Sequence, residues 1–201
     1  MLLDASDCQL VLVDYQARLM PAIEQGEEVL ERARRLVALA RLFEVPVWGT
    51  EQDARKLGTM PPELRDACIA VLPKQAFDSS DSALLELLHG GAAARPVGGN
   101  ARSLPKHLRK VASPTRTTVL LAGCEAHVCV LQTAFMLLEQ EDLEVVVVTD
   151  ACGSRRARDR DAALDRLAAE GVTLVTVEMV GFEWLRTARE PRFKEALAIL
   201  K

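Results

Sequence analysis

The segment Gly123-Cys-Glu-Ala-His-Val-Cys-Val130 follows a solid apolar run, Thr118-Val-Leu-Leu-Ala122. It opens a second apolar stretch in which Val128, Leu131, Phe135 and Leu138 recur at helical spacing. That pattern predicts a strand, a glycine-marked turn and a helix, with Cys129 in the first helical turn. A thiol there feels unpaired N–H groups and the positive end of the helix dipole, both of which favour the nucleophilic thiolate. Two further reactive side chains stand at the ends of apolar runs. Asp14 follows Leu10-Val-Leu-Val13, and Lys74 follows Cys68-Ile-Ala-Val-Leu72. In open parallel sheets the chemistry collects at the carboxyl ends of the strands. A carboxylate to take and return a proton, an ammonium to hold charge and a thiol to attack would then meet on one edge.

The elements that must position these groups are legible as alternation. Besides the runs already named, Val45-Pro-Val-Trp48, Val145-Val-Val-Val148 and Thr173-Leu-Val-Thr-Val177 read as strands, making six. They are continuous rather than alternating, as expected of strands buried on both faces of a parallel sheet. Between them lie helical patterns. Val29, Ala33, Leu36, Ala40 and Phe43 share one face; Leu84, Leu87 and Leu88 mark a short helix; Ala162, Leu164, Leu167 and Ala168 mark another, which Gly171 closes. The expected architecture is a three-layer α/β/α sandwich with a mainly parallel six-stranded sheet of Rossmann-like topology, one domain over residues 1–201. The stretch 90–116, rich in Gly, Pro, Ala, Arg and Lys, reads as a loop insertion. Residues 184–201 read as one or two amphipathic helices interrupted at Pro191.

Composition narrows the partners. The chain has 201 residues, 49% of them hydrophobic, and a net charge of −4. With a pI near 5.5, nothing calls for a nucleic acid or an anionic membrane as partner. No apolar segment reaches bilayer-spanning length, and residues 1–7 lack the basic and apolar regions of a signal peptide. A cytoplasmic location is expected. Five cysteines without a C-x-x-C pair fit reduced thiols better than a disulfide framework. His89, His107 and His127 form no metal-ligand grouping, so neither a metal nor another cofactor is expected.

Four segments in this order resemble the isochorismatase-like cysteine hydrolases, the superfamily of nicotinamidases and N-carbamoylsarcosine amidase. They are Val11-Leu-Val-Asp-Tyr-Gln16, Pro73-Lys-Gln-Ala-Phe-Asp78, Gly123 to Val130, and Thr149-Asp-Ala-Cys-Gly-Ser-Arg155. The resemblance implies a catalytic Asp14, Lys74 and Cys129. In it Cys129 attacks a carbonyl carbon, Asp14 carries the proton to the leaving amine and Lys74 stabilises the charge. It also implies a cis peptide at Cys124–Glu125 and an oxyanion hole from the backbone N–H groups of Glu125 and Cys129. Nicotinamidases carry Asp-x-His after the second strand; Thr50-Glu-Gln-Asp53 stands here instead, as in the metal-free subgroup. Members lacking the cysteine cleave a vinyl ether, so Cys129 favours acyl chemistry on a small carboxamide, carbamoyl or related substrate. Family members are commonly homo-oligomers, and a dimer or larger assembly is expected, with the apolar C-terminal residues or the 90–116 arm at an interface.

Singly, each residue has a plainer reading. Cys129 could be a small buried hydrophobe, Asp14 a turn residue and Lys74 a solvated cation; together at three strand ends they favour catalysis. Gln16, Glu51, Gln52, Phe77 and His127 are candidate pocket-lining residues, His127 more as a structural hydrogen-bonder than as a base. The alternative to an enzyme is a catalytically vestigial binding or scaffold member of the same fold.

Overall fold

The computed structural model describes residues 2–90 and 116–201. The predicted insertion therefore lies, apart from its two end residues, outside the described residues. In chain order the elements are β1 (Cys8–Val13), α1 (Gly26–Leu42), β2 (Val47–Gln52), α2 (Ala54–Leu57), α3 (Pro62–Arg65), β3 (Ala70–Lys74) and α4 (Leu84–Gly90). After residue 115 follow β4 (Thr118–Gly123), a π-helical turn (Ala126–Val130), α5 (Leu131–Leu138), β5 (Glu144–Val148), α6 (Ala157–Ala169), β6 (Thr173–Val175), α7 (Val177–Leu185) and α8 (Phe193–Leu200).

The six strands form one sheet in the order β3-β2-β1-β4-β5-β6, and every pairing is parallel. All six residues of both β1 and β4 are buried, the burial on two faces that their unbroken apolar runs require. Alternate side chains supply two cores. Leu10 and Leu12 of β1 pack with Leu36 and Ala40 of α1 and with Val180, Trp184 and Ala196 of the C-terminal helices. Val11 and Val13 pack on the other face with Leu84 and Leu88 of α4, Leu137 of α5 and Leu167 of α6. Three layers result.

Several boundaries differ from the apolar runs, for one reason. Strand β2 runs on through the polar Thr50, Glu51 and Gln52 because Thr50 pairs with both β1 and β3, and Glu51 and Gln52 pair with β3. Likewise β3 extends to Lys74. Pro73 is tolerated there because β3 is an edge strand, where its missing N–H breaks no interior ladder. At the other edge β6 stops at Val175; Thr176 turns the chain and caps α7 by accepting the Met179 N–H. Gly171, with φ of +87°, makes the left-handed turn that ends α6. The C-terminal helices fold back on α1, burying Trp184, Leu185 and Ala196, so much of the apolar tail is covered within the chain. Met179 and Phe182 remain exposed.

The sheet order reverses between β1 and β4, the position at which an α/β sheet opens a crevice above its carboxyl edge. Gly123 closes the strands there. A Cβ at this position would lie 2.2 Å from the Val13 carbonyl oxygen and 2.6 Å from the Val13 Cβ. Gly123→Ala should therefore push β4 off β1 and destabilise the fold by about 1–3 kcal/mol, the usual cost of overpacking a filled interior. Urea unfolding would show a lowered midpoint at unchanged slope.

Candidate active site

Asp14 is the first residue after β1 and takes a left-handed backbone conformation, φ 52°. Aspartate visits that region more readily than most residues, and such positions cluster at functional sites. Its carboxylate is fully buried: Thr50 donates its hydroxyl to Oδ1 at 2.8 Å, and Lys74 Nζ stands 2.8 Å from Oδ2. Lys74 ends β3, two strands away from β1. At a strand spacing of about 4.8 Å the gap is roughly 10 Å, which a lysine side chain crosses with the help of Asp14's own reach.

The ammonium is held tightly. It donates to Gln52 Oε1 at 2.8 Å, to the Phe77 carbonyl at 3.0 Å and to the Ala76 carbonyl at 3.2 Å. Those acceptors occupy its three N–H groups, so its contact with Asp14 is one of charge, and no regular hydrogen bond reaches Oδ2. The side chains of Thr50 and Gln52, two apart on β2, serve the carboxylate and the ammonium respectively. Glu51, between them on the alternating strand, points away and accepts from the Met60 N–H at 2.9 Å, with Arg65 Nε at 3.4 Å.

The third group arrives from β4. Cys124 N–H is bonded to the Val13 carbonyl at 2.9 Å, the Cys124–Glu125 peptide is cis, and Ala126 N–H is bonded to the Gly153 carbonyl at 2.7 Å. The turn is then π rather than α: the Glu125 carbonyl accepts from Val128 at 3.1 Å and from Val130 at 3.2 Å. Single π turns recur at functional sites. This one presents Cys129, 7% exposed, to Asp14 and Lys74.

The thiol is not the low-pKa group that its place at a helix start suggested. Burial pushes it up to about 12 and the Asp14 charge and hydrogen bond add to this, against the opposing pull of Lys74 and of the Glu125 N–H directed at the sulfur. Desolvation disfavours the thiolate more than the lysine and the turn favour it. The balance of these effects lies toward the thiol form of Cys129.

The structure brings Asp14, Lys74, Cys129, Gln52 and the Glu125 N–H together. Gln16 lies near but is engaged elsewhere: it accepts from Gln52 N–H at 2.8 Å and donates to the Gln52 carbonyl at 3.0 Å and to that of Gly58, clamping the end of β2. Phe77 is 56% exposed beside the lysine loop. His127 Nδ1 is 3.0 Å from Ser154 Oγ, and the Glu125 carboxylate is bound by Arg155 at 2.7 Å and 3.3 Å. Thr50 was not singled out as a site residue. A threonine at a strand end carries no signal of its own; only its register against Val13 places it beside Asp14.

Comparison with known proteins assigns the chain to a family. The isochorismatase domain family matches residues 8–179, so the chain belongs to that family. Isochorismatase domain-containing protein 2A of Mus musculus is 34% identical over 194 residues, covering 96% of this chain and 82% of that protein. Among solved structures, MAR1 ribonuclease from Caenorhabditis elegans superposes with a TM-score of 0.81 at 27% identity, covering 100% of this chain and 92% of its own. The YcaC gene product of Escherichia coli, described as an octameric hydrolase of unknown specificity, gives 0.76 at 25% identity over 100% of this chain and 89% of its own. Membership supports a hydrolase function. Among the described residues no helix is long and apolar enough to cross a membrane.

The balance of forces on the thiol gives a signed test. Asp14 raises the Cys129 pKa, so Asp14→Asn should lower it and leave Lys74 to favour the thiolate. Iodoacetamide should then alkylate Cys129 faster than in the wild-type chain at pH 8, by about tenfold per unit of lowered pKa. The measurement is made well below the melting temperature, because removing one partner of a buried ion pair costs about 3–5 kcal/mol.

Proposed function

We propose that this chain is a cysteine hydrolase that cleaves a small carboxamide, carbamoyl or related acyl substrate through a thioester on Cys129, without a metal or other cofactor. The observation that carries the reading is the placing of a buried thiol against a carboxylate that already has a lysine for counter-charge, at the carboxyl edge of a parallel sheet.

Because burial disfavours the thiolate, the sulfur needs a base, and Asp14 is the carboxylate that acts on it. The thiol proton passes to Asp14 as the sulfur attacks the carbonyl carbon, and the carbonyl oxygen takes up the negative charge. The N–H groups of Glu125 and Cys129 receive that oxyanion; one such donor typically contributes about 2.7–4 kcal/mol of barrier lowering. As the tetrahedral adduct collapses, the C–N bond breaks and the leaving nitrogen takes the proton from Asp14. Water then gives a proton to Asp14 and adds to the thioester. Collapse expels the sulfur, which recovers the proton, and the acid is released. Lys74 stays in place, stabilising negative charge on carboxylate or sulfur throughout.

Cys129→Ala removes the nucleophile and opens little volume, so the variant should fold normally and lose all turnover on a panel of carboxamide and carbamoyl compounds. A productive wild-type substrate should add its acyl mass to the intact protein when quenched early. Equal turnover by wild type and Cys129→Ala would falsify the covalent mechanism.

An assembly of more than one copy belongs to the same proposal. Its support is the exposure of Met179 and Phe182 on α7 and the octameric description of the E. coli structure. Light scattering at micromolar concentration should give a mass of at least twice the 22.0 kDa of one chain; a dilution-independent mass of one chain contradicts it.

A further inference from the structure

Among the described residues, only one side-chain to side-chain hydrogen bond joins the loop that carries the lysine's carbonyl acceptors to the helix that carries the cysteine. Ser79 Oγ and Thr133 Oγ1 lie 3.2 Å apart, and both residues are fully buried. Thr133 is one helical turn beyond Cys129, on the same side of the continuous π-to-α segment. Ser79 is two residues beyond Phe77, whose carbonyl accepts from Lys74 Nζ, and its own carbonyl accepts from Ser82 Oγ at 2.7 Å and Ser82 N–H at 3.2 Å. The neighbourhood is apolar: Leu84 and Leu88 of α4 and Val130 and Ala134 around the nucleophile's helix belong to one buried cluster.

A pair of hydroxyls in such a place is an unusual choice. Alanine and valine would fill similar space and need no partner, whereas either hydroxyl left alone would be a buried unsatisfied group. What the pair adds over apolar packing is direction. It fixes the loop's rotation on the helix, and the loop's Ala76 and Phe77 carbonyls fix the ammonium. We propose that Ser79 and Thr133 are positioning residues that set where the Lys74 ammonium stands relative to the Cys129 sulfur. Neither touches a reacting atom. The consequence for turnover rests on the hydrolase reading above, but the consequence for the thiol does not.

The test is the rate of Cys129 alkylation by iodoacetamide between pH 7 and 10, with melting temperature measured alongside. The groups acting on the sulfur are Asp14 from the end of β1, Lys74 from β3 and the Glu125 N–H of its own turn. Of these only Lys74 is held by the Ser79 loop. Thr133→Val leaves the Ser79 hydroxyl buried alone, so it should both lower the melting temperature and slow alkylation. The Ser79→Ala, Thr133→Val double variant is decisive, because replacing both partners by apolar groups is close to neutral for stability. It should melt near the wild-type temperature yet alkylate about threefold more slowly or worse across the range, equivalent to the profile moving half a pH unit upward. Thr133→Ser, which keeps a hydroxyl, should restore the wild-type profile. A double variant with the wild-type profile overturns the proposal, as does one that does not fold, since the pair would then serve folding alone. If the double variant slows alkylation and no substrate is ever found, the positioning role stands and the hydrolase reading fails.

Discussion

The buried contact between Asp14 and Lys74, 2.8 Å apart with both side chains almost wholly out of solvent, is the constraint around which the carboxyl edge of the sheet is built. Two charges in such a place are expensive to desolvate, and their mutual attraction offsets that cost only when their remaining hydrogen-bonding capacity is met. The neighbouring elements contribute to that end. Strand β2 supplies Thr50 to the carboxylate and Gln52 to the ammonium, and the chain after β3 turns back so that two carbonyls reach Nζ. Asp14 itself leaves the β region to bring its carboxylate over the strand ends. The pair is thereby neutral as a unit yet polar at every atom, a setting able to accept and return a proton while the ammonium keeps its place.

The nucleophile is governed by the same competition between burial and charge. Its address at the start of a helix favours a thiolate, but the protein removes the sulfur from water, and that effect prevails. A site with a protonated sulfur and an adjacent base differs in kind from one with a standing thiolate. The other four cysteines, Cys8, Cys68, Cys124 and Cys152, are free thiols as well, each with its pKa raised chiefly by burial. What separates Cys129 from them is that both the Asp14 and the Lys74 charges act on its sulfur.

Much of the support for the site comes from residues that never face a reacting atom. Gln16 fastens the end of β2 from the chain just beyond Asp14, Tyr15 donates to the Ala151 carbonyl, and Arg155 holds the carboxylate of Glu125. These contacts tie the end of β2 to the chain after β1, and the chain after β1 and after β4 to the segment that follows β5. The one glycine at the β1–β4 closure, Gly123, lets the strands approach until no Cβ fits. The carboxyl edge of the sheet, where Asp14, Lys74 and Cys129 meet, is thus cross-tied by several independent contacts.

Six strands, their parallel pairing and the three layers were legible in the chain because burial on both faces demands unbroken apolar runs, and crossover helices leave a helical period between them. Asp14, Lys74 and Cys129 were legible as a set for a related reason: each follows such a run, and parallel strands bring such positions to one edge. Strand ends were not legible, since Glu51 to Gln52 and Pro73 to Lys74 lack strand-like character and are extended because β2 and β3 pair there. Nor could the sequence separate Gln52, which holds the lysine, from Glu51, which turns away to Met60 and Arg65; strand register decides that. The thiol's pKa shift is the least legible feature of the chain. A helix start can be read locally, but desolvation is the sum of everything packed around a group, and only the tertiary structure determines what that is.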